Sequence, residues 1–465
     1  MTRYRSTRGG ASGLGFADVL LEGLAPDGGL YLPEAWPRLE DARALAGQPF
    51  EAVARRVLSL FAPDLPEADV VFACEAYGED GAFAHPAVAP LVQTGPDDWT
   101  CELFRGPTLA FKDVAMQMLG RLFEQRLAAE GRRMTVVAAT SGDTGGAAVA
   151  ALANLSAVDL VVLHPEGRIS EVQRRFMTTG GAPNVANIAV RGTFDDCQAA
   201  VKAMFADEGF RQDVSLGAVN SINWARIVAQ SVYYVTSSLL LASGDRAPAY
   251  VVPTGNFGDV FAGLVARRIG APVGRLIVAT NENDILDRAL RTGAHVPRAV
   301  SATHSPSMDI QVSSNFERLL YEASDGDEAL VTRMMKSQSA GGGFDLPGGM
   351  RKRIAAEFSS YSATREEAAA QMRRALAETG EAPDPHTGVG LAAAAKARAD
   401  GLTGQLVTLA TAHAAKFPGE VRDATGADAP LPARLSGLMA ADERCEVMDA
   451  DVDGLKAAVR AHAAR

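Results

Sequence analysis

Six short runs of apolar residues recur along the chain, and each is followed by glycine or a polar turn. The runs are mostly continuous rather than alternating, and they occupy residues 135–140, 159–164, 185–190, 249–252, 275–279 and 405–410. Strands covered by helices on both faces have this composition, because neither face of the sheet meets water. The stretches between them, such as 114–131 and 259–270, have helical periodicity. The pattern therefore predicts an α/β chain with open parallel sheets.

The segments outside these runs suggest how the chain is divided. Residues 16–23 and 50–61 have helical spacing near the N-terminus. The Pro-, Gly- and Asp-rich stretch at 86–99 is interpreted as a connection, and the glycine-rich stretch at 340–349 as a mobile loop. We therefore predict a mainly helical N-terminal segment over residues 1–95, followed by two α/β domains over residues 96–235 and 236–465.

The composition limits what the chain binds. The net charge of -11 disfavours nucleic acid as a partner, because a phosphate backbone needs a clustered basic face. No run of apolar residues is long enough for a membrane span. The four cysteines are widely separated without a CxxC pair, which favours a reducing, cytoplasmic setting and disfavours a zinc site. No other spacing of His, Cys, Asp and Glu suggests a metal.

Three of the strand-end turns, at residues 141–146, 253–259 and 410–416, are rich in small and polar residues. Open α/β sheets bind ligands at the carboxyl ends of their strands. In the second turn, Gly255 and Gly258 allow backbone N–H groups to approach a phosphate at a helix N-terminus. The turn has no Walker lysine and no GxGxxG, so nucleotide binding is not indicated. Such turns also occur for conformational reasons alone, and spacing does not separate the two interpretations.

Lys112 is one of few lysines in a chain whose basic residues are mostly arginine. Its neighbours, Leu109 to Phe111 and Val114 to Met116, are largely apolar. Desolvation lowers the pKa of an amine and raises the neutral fraction that can form a Schiff base. The alternative is a surface lysine at a helix start, and the local sequence by itself leaves that alternative open.

Seven segments, in their order along the chain, resemble the threonine synthase family: residues 16–31, 104–113, 139–145, 220–223, 253–259, 305–309 and 411–417. The long N-terminal segment and the Thr-Ala-His segment are most similar to the bacterial and fungal branch. The resemblance implies the tryptophan synthase β-like fold (fold type II), with two α/β domains and pyridoxal 5'-phosphate (PLP) between them.

The resemblance also implies roles for individual residues. Lys112 would be the Schiff-base lysine and a catalytic residue, and the Thr411 hydroxyl would hydrogen-bond the pyridine nitrogen of PLP. The backbone N–H groups expected to hold the cofactor phosphate are those of Gly255, Asn256, Phe257, Gly258 and Asp259. The side chains expected to contact the substrate are those of Ser141, Asp143, Thr144, Asn223 and Arg226.

Arginines and histidines near these segments add further candidates. Arg105, like Arg226, is a candidate for binding the substrate phosphate, because a guanidinium binds phosphate bidentately. A solvated arginine is the alternative for both. His413, beside Thr411, is interpreted either as a group behind the cofactor site or as a packed strand-end histidine. His304 is equally undecided.

The reaction that the resemblance implies converts O-phospho-L-homoserine and water to L-threonine and phosphate, as the last step of threonine biosynthesis. Protons must leave two neighbouring carbons, and the freed amine of Lys112 is the expected base. The alternatives are a PLP-dependent phospho-lyase or dehydratase that releases a 2-oxo acid, a non-catalytic PLP-binding protein, and a phosphate-binding protein without PLP. A monomer or small homo-oligomer is expected.

Overall fold

Parallel strands and helices alternate through most of the computed structural model, which describes residues 1–217, 219–244 and 246–463. The strands are β1 Tyr4–Ser6, β2 Tyr31–Pro33, β3 Leu91–Gln93, β4 Asp98–Glu102, β5 Met134–Ala139, β6 Val158–Pro165, β7 Val185–Arg191, β8 Leu216–Gly217, β9 Ala249–Pro253, β10 Leu276–Thr280, β11 Ala294–His295, β12 Phe344–Asp345, β13 Phe358–Ser362, β14 Leu406–Ala410 and β15 Glu446–Asp449. The helices are α1 Phe16–Glu22, α2 Phe50–Phe61, α3 Glu67–Cys74, α4 Lys112–Glu130, α5 Asp143–Leu152, α6 Glu171–Thr178, α7 Phe194–Ala206, α8 Glu208–Asp213, α9 Trp224–Leu241, α10 Gly258–Ile269, α11 Ile285–Thr292, α12 Phe316–Ala323, α13 Glu328–Ser339, α14 Gly348–Glu357, α15 Arg365–Thr379, α16 Pro385–Ala399, α17 Pro418–Thr425 and α18 Val452–Ala463.

Two sheets carry the fold. The larger has six strands in the order β13-β10-β9-β14-β4-β3, and the smaller has five in the order β15-β7-β6-β5-β8. Every neighbouring pair in them is parallel except β3 with β4. All six strands predicted from the apolar runs are present, and every residue of β6, β9, β10 and β14 is buried. The predicted α/β class with open parallel sheets is confirmed.

The predicted domain boundaries do not coincide with the two sheets. Strands β3 and β4, which lie at or before residue 102, join the six-stranded sheet formed otherwise by the second half of the chain. Strand β15 returns from the C-terminal end to pair with β7 of the smaller sheet. A division at residues 95 and 235 therefore assigns β3, β4 and β15 to other segments than the strands with which they pair. A strand's sheet is decided by packing between distant segments, and a continuous apolar run carries no information about its partner.

The glycine-rich stretch at 340–349 is not a continuous loop. It contains β12, which pairs antiparallel with β11, and the beginning of α14 at Gly348. The sequence prediction of a loop is corrected at these positions. Glycine lowers the intrinsic preference for both helix and strand, and the tertiary contacts of β11 override that preference here.

The N-terminal segment packs on the helix that leads into the site. The indole of Trp224, the first residue of α9, meets the rings of Tyr4 and Phe61 at centroid distances of 6.1 and 5.7 Å. Trp224 is completely buried, so a single aromatic cluster joins β1, α2 and α9. The segment therefore fixes the start of α9. None of the described helices combines the length and the apolar character needed to cross a membrane.

His295 is a buried histidine enclosed by aromatic rings. Its imidazole stacks on Phe344 and Phe316 at centroid distances of 4.6 and 5.4 Å. Neither ring nitrogen has a hydrogen-bond partner among the described residues. Burial lowers the pKa of His295 to about 4 from its ordinary 6.5, because the imidazolium would be desolvated between the rings.

His295→Phe should make folding less sensitive to acid. The unfolded chain takes up a proton at this histidine below about pH 6.5, whereas the folded chain resists it until about pH 4, so wild-type stability falls across that window. The wild type should lose about 2 kcal/mol more free energy of unfolding than the variant between neutral pH and about pH 5. Urea denaturation of both proteins at the two pH values measures this. Equal losses would show that His295 does not contribute.

Candidate active site

The carboxyl ends of three adjacent parallel strands define one edge of the larger sheet. Strands β9, β14 and β4 are neighbours in that order, so the segments that follow them begin side by side. These segments are the glycine-containing turn after β9, the Thr411 segment after β14, and the loop that leads from β4 to Lys112. Parallel pairing thus brings together three of the segments that the sequence singled out.

Lys112 is the first residue of α4 and is held by a rigid loop. Leu109 has φ +61°, and the backbone N–H of Phe111 donates to the carbonyl of Thr411 at 2.8 Å. The buried carboxylate of Asp113 accepts from the backbone N–H and hydroxyl of Thr108 at 2.9 and 2.6 Å. These contacts fix both ends of the turn that presents Lys112. Its amine is therefore placed at the sheet edge rather than on the surface.

The amine of Lys112 faces a carboxylate from the other sheet. Asp143 begins α5, directly after the turn that follows β5, and its Oδ2 lies 3.4 Å from Lys112 Nζ. The other oxygen, Oδ1, is 2.8 Å from Nζ of Lys416 and accepts from Nε2 of Gln173 at 2.9 Å. The side chain of Lys112 is 13% exposed and that of Lys416 is 1% exposed. The cluster therefore lies between the sheets, with only Lys112 partly accessible.

Burial and neighbouring charges shift the protonation of this cluster. Burial lowers the pKa of Lys112; Asp143 opposes that shift, while Lys416 and Arg226 add to it. Burial by itself would raise the pKa of Asp143, but Lys416 and Lys112 outweigh it and hold that pKa well below its usual range. The site thus combines a firmly ionised carboxylate with an amine that loses its proton more easily than an ordinary lysine.

The turn after β9 presents a run of backbone N–H groups at the start of α10. Among the described residues, no acceptor is found for the N–H groups of Gly255, Asn256, Phe257, Gly258 and Asp259. Helix α10 begins there, and its dipole favours an anion at this end. Phe257, at the N-cap, has φ +63°, a left-handed conformation that a non-glycine residue rarely adopts. Its ring is anchored against Phe316 at 5.3 Å.

Contacts from the segment before α12 hold this turn in shape. The hydroxyl of Ser313 donates to the carbonyl of Gly255 at 2.8 Å, and the amide of Asn315 donates to the carbonyl of Asn256 at 3.0 Å. A Cβ at Gly255 would lie 2.7 Å from the carbonyl oxygen of Ser307. The carbonyls therefore point toward protein donors, which leaves the N–H groups for a ligand.

Asp259 contributes to this turn through its backbone only. Its carboxylate points into the core, where it accepts from the hydroxyls of Tyr233 and Tyr234 at 2.5 and 2.9 Å. Burial raises the pKa of Asp259 to about 6. A carboxylate turned away from the N–H groups does not repel an anion that binds there at close range.

Arg226 and Asn223 lie at the start of α9 and differ in how fully their side chains are used. The amide of Asn223 accepts from the N–H of Ala225 and donates to the carbonyl of Leu20 at 2.9 Å, so it caps α9 and ties down α1. Arg226 is 2% exposed. Within the described residues, its side chain makes one hydrogen bond, to the carbonyl of Val219 at 3.0 Å. Its Nε has no partner there, and burial lowers the pKa of Arg226 to about 10.

The other residues predicted for the site differ in whether protein groups already engage their side chains. Thr411 is buried at the end of β14, and Ser141 is exposed at the end of β5 with Thr144 partly buried beside it. Arg105 is paired with Glu102 through Nε at 2.8 Å, so part of its guanidinium is already engaged by a carboxylate. Nδ1 of His413 accepts from the N–H of Ala415, as in a packed strand end.

Other parts of the site were missed or lie elsewhere. His304 lines a small cavity formed with α15 and α16, away from the Lys112 cluster. Lys416, Gln173 and Asn315 contact the site directly and were not singled out. For Lys416 a signal existed, because it is one of few lysines and follows Thr411 in the same segment. Gln173 and Asn315 carry no comparable signal. No group of three His, Cys, Asp or Glu residues that could hold a metal ion is found in the described part of the chain.

Comparison with known proteins agrees with this geometry. Three family models match: threonine synthase N terminus over residues 3–77, pyridoxal-phosphate dependent enzyme over 99–412, and threonine synthase, C-terminal, over 387–459. A threonine synthase from Pseudomonas aeruginosa is 46% identical over 100% of this chain and 99% of its own length. The chain belongs to the threonine synthase family. The resemblance carried by the seven sequence segments is thereby confirmed.

Solved structures of the family share the whole architecture. A PLP-bound threonine synthase from Brucella melitensis is 48% identical, covers 100% of both chains and superposes with a TM-score of 0.96. A yeast threonine synthase is 36% identical over 99% of both chains, with a TM-score of 0.92. As a threonine synthase family member, this chain has the fold of the pyridoxal-phosphate dependent enzymes, and the predicted fold type II architecture is confirmed.

Proposed function

We propose that this threonine synthase family member binds PLP at Lys112 and converts O-phospho-L-homoserine and water to L-threonine and phosphate. The observation that carries the proposal is the convergence at one sheet edge of three groups: a partly accessible amine, a run of N–H groups, and a buried guanidinium, the last two without an acceptor or a carboxylate partner among the described residues. An aldehyde-bearing phosphate ester such as PLP requires the first two, and a phosphorylated substrate requires the third.

The residues present fit PLP. The free N–H groups at the start of α10 suit a dianionic phosphate, and the lowered pKa of Lys112 favours the neutral amine that a Schiff base needs. Thr411, which directly follows the intervening strand β14, is proposed to hydrogen-bond the pyridine nitrogen. Its hydroxyl does not hold a proton on that nitrogen as a carboxylate would. The ligand roles of these residues are proposals supported by their positions.

Gly255→Ala should weaken PLP binding about 10- to 100-fold, equivalent to about 1.4 to 2.7 kcal/mol. The new Cβ would lie 2.7 Å from the carbonyl oxygen of Ser307, so the turn must shift and its N–H groups lose their alignment. Titration of the apoprotein with PLP, followed by absorbance, measures the affinity. Gly349→Ala is the control, because a Cβ there has open space and the residue lies in a helix. An affinity equal to the wild type would contradict the proposed phosphate role.

When bound, PLP supplies an electron sink for negative charge at the substrate carbons next to the amino group. The chain supplies the acid-base groups. When it is not bonded to the cofactor, the amine of Lys112 would be able to take a proton from Cα and then move protons at the neighbouring carbon. Asp143, ionised beside it, stabilises the ammonium that results. Burial between the sheets limits the contact of these groups with bulk water.

Arg226 is proposed to bind the phosphate of the substrate. Burial of a guanidinium is costly unless its donors are paired, and most of those on Arg226 have no partner among the described residues. Arg226 is also close enough to lower the pKa of Lys112. A phosphate carried by the substrate would supply the missing charge and acceptors. Ser141 and Thr144 are proposed as weaker contacts, whereas the amide of Asn223 is already occupied by protein groups.

The test of the proposed function is the product formed from O-phospho-L-homoserine. Purified protein loaded with PLP should release threonine and phosphate in equal amounts, quantified by amino-acid analysis and a phosphate assay. A 2-oxo acid without threonine would show that the chain is a phospho-lyase. No turnover, with PLP still bound, would favour the non-catalytic alternative. Matches to both the N-terminal and the C-terminal threonine synthase models favour the synthase.

The cellular setting and assembly state are further proposals. Cys74, Cys101 and Cys197 are buried as free thiols, and Cys445 is exposed as a free thiol, which suits the reducing cytoplasm. A monomer or small homo-oligomer is proposed. Light scattering on the purified protein measures its mass directly.

A further inference from the structure

Lys416 is a buried lysine that none of the roles above uses. It lies in the 3-10 turn Ala414–Lys416 after β14, and its side chain is 1% exposed. Its Nζ is 2.8 Å from Oδ1 of Asp143 and donates to the carbonyl of Thr108 at 2.7 Å. An ammonium in such a place destabilises the fold unless its partners are well arranged. These short contacts show that its position is closely determined.

The ion pair joins the two sheets beside the site. Asp143 follows β5 of the five-stranded sheet, whereas Lys416 follows β14 of the six-stranded sheet. Two residues of the α6 region reinforce the contact: Gln173 donates to Asp143 at 2.9 Å, and the hydroxyl of Ser170 donates to the carbonyl of Lys416 at 2.8 Å. The carboxylate of Asp143 is thus held from both sides of the cleft.

This arrangement decides which oxygen of Asp143 meets Lys112. Oδ1 is engaged by Lys416 and Gln173, so Oδ2 remains to face Nζ of Lys112 at 3.4 Å. That distance is longer than a charge-assisted hydrogen bond, which is typically about 2.7–2.9 Å. Asp143 therefore orients the amine of Lys112 without binding it tightly. Without Lys416, the carboxylate would be free to pair with Lys112 alone.

We propose that Lys416 is a positioning residue: it pins Asp143 across the cleft, so that the carboxylate does not pair closely with Lys112 and the amine stays available to form its Schiff base with PLP. In that step the amine nitrogen adds to the aldehyde carbon, a C=N bond replaces C=O, and the aldehyde oxygen leaves as water. The inference rests on the proposed cofactor role of Lys112. It assigns Lys416 no contact with substrate.

The charges around the cluster give the direction of the expected effect. Lys112 faces Asp143, Lys416 and Arg226, and Lys416 also faces Asp113. Lys416 and Arg226 lower the pKa of Lys112, and Asp143 raises it. Removing Lys416 takes away one repulsion and strengthens one attraction, so the pKa of Lys112 should rise. Removing the charge of Asp143 should lower it.

The experiment follows PLP loading of the apoprotein by stopped-flow absorbance over a range of pH. Lys416→Met should load about 10-fold more slowly near neutral pH, with the midpoint of the pH profile raised by about one unit. Raising the pH should restore the rate, because Lys112 then loses its proton. Lys416→Arg keeps the charge and should remain within about 3-fold of the wild type, a difference of about 0.7 kcal/mol.

Two further variants separate positioning from a general loss of structure. Asp143→Asn should move the midpoint in the opposite direction, to lower pH. Lys396→Met is the matched control, because Nζ of Lys396 also contacts one carbonyl, that of Ser362 at 2.7 Å, and one carboxylate, that of Glu367 at 2.8 Å. It lies outside the site and should load like the wild type. Circular dichroism melting shows which variants are folded.

Three outcomes would overturn the inference. The first is an unchanged pH midpoint of PLP loading in folded Lys416→Met, and the second is a loading rate in Lys416→Arg as low as that in Lys416→Met. The third is a midpoint that moves in the same direction in Lys416→Met and Asp143→Asn. If Lys416→Met does not fold, Asp143→Asn still tests the inference. An unchanged midpoint in that variant would show that Asp143 does not influence Lys112. PLP loading requires no substrate. The inference can therefore fail while the product assay succeeds, and the product assay can fail while loading behaves as expected.

Discussion

Lys112→Ala should lose the absorbance band of covalently bound PLP and reduce threonine formation by at least about 10³-fold, since general acid-base catalysis alone contributes about 10²- to 10⁴-fold. The variant removes both the amine that anchors the cofactor and the proposed base. The turn after β9 that we propose to bind the cofactor phosphate does not depend on Lys112, so PLP should still bind, but noncovalently. Absorbance spectra before and after gel filtration, together with the product assay, measure the two losses.

Proton exchange distinguishes the anchoring role from the base role. When O-phospho-L-homoserine is incubated with Lys112→Ala in deuterated water, the substrate should retain its Cα proton. With the wild type, the substrate should exchange this proton for deuterium. NMR follows the exchange. Lys396→Ala is the control and should exchange like the wild type. Normal exchange in Lys112→Ala would assign the base to another group while leaving the anchor intact.

Arg226→Leu should raise the KM for O-phospho-L-homoserine by about 100-fold or more, which corresponds to about 3 kcal/mol or two charge-assisted hydrogen bonds. The same variant should be at least as stable as the wild type without substrate. A buried guanidinium with unpartnered donors costs free energy, and leucine fills similar space without that cost. Steady-state kinetics measure the KM of the variant, and thermal melting measures its stability.

Arg318 provides the contrast for this prediction. It is also completely buried, but its guanidinium donates to the carbonyls of Tyr31 and Ile222 and to the side chain of Asn315. Arg318→Leu should therefore destabilise the protein, because three protein acceptors lose their donor. If Arg226→Leu melted as low as Arg318→Leu, or kept the wild-type KM, Arg226 would be structural rather than a phosphate site.

The local pattern of the sequence predicted the elements of this protein. Continuous apolar runs placed the six buried strands, and helical spacing placed α2 and α10. Strand β4 was missed because its residues, Asp98–Glu102, alternate polar and apolar side chains and contain no continuous apolar run. Its membership in the six-stranded sheet comes from parallel pairing with β14, about 300 residues away in sequence.

The same distinction between local pattern and tertiary contact applies to the candidate site. The glycine turn after β9 could be singled out because glycines before a helix have a local physical meaning, and Lys112 because a lysine among apolar neighbours is unusual. The local sequence by itself left open a purely conformational turn and a surface lysine. The occupation of Asn223 by protein groups could not be predicted, because its partner, the carbonyl of Leu20, lies in a different helix. The burial of Arg226 could not be predicted either, because arginine is abundant in this chain.

By itself, the sequence determined the strands, the glycine turn, the lysine that we propose as the anchor and, through its ordered segments, the family. Only the tertiary structure decided which oxygen of Asp143 faces Lys112, that Lys416 is buried against it, and that no carboxylate of the described residues pairs with Arg226. Strands and turns depend on residues close together in the chain. Charge pairing depends on which distant side chains the two sheets bring within a few ångströms, and that distance is fixed only when the sheets pack.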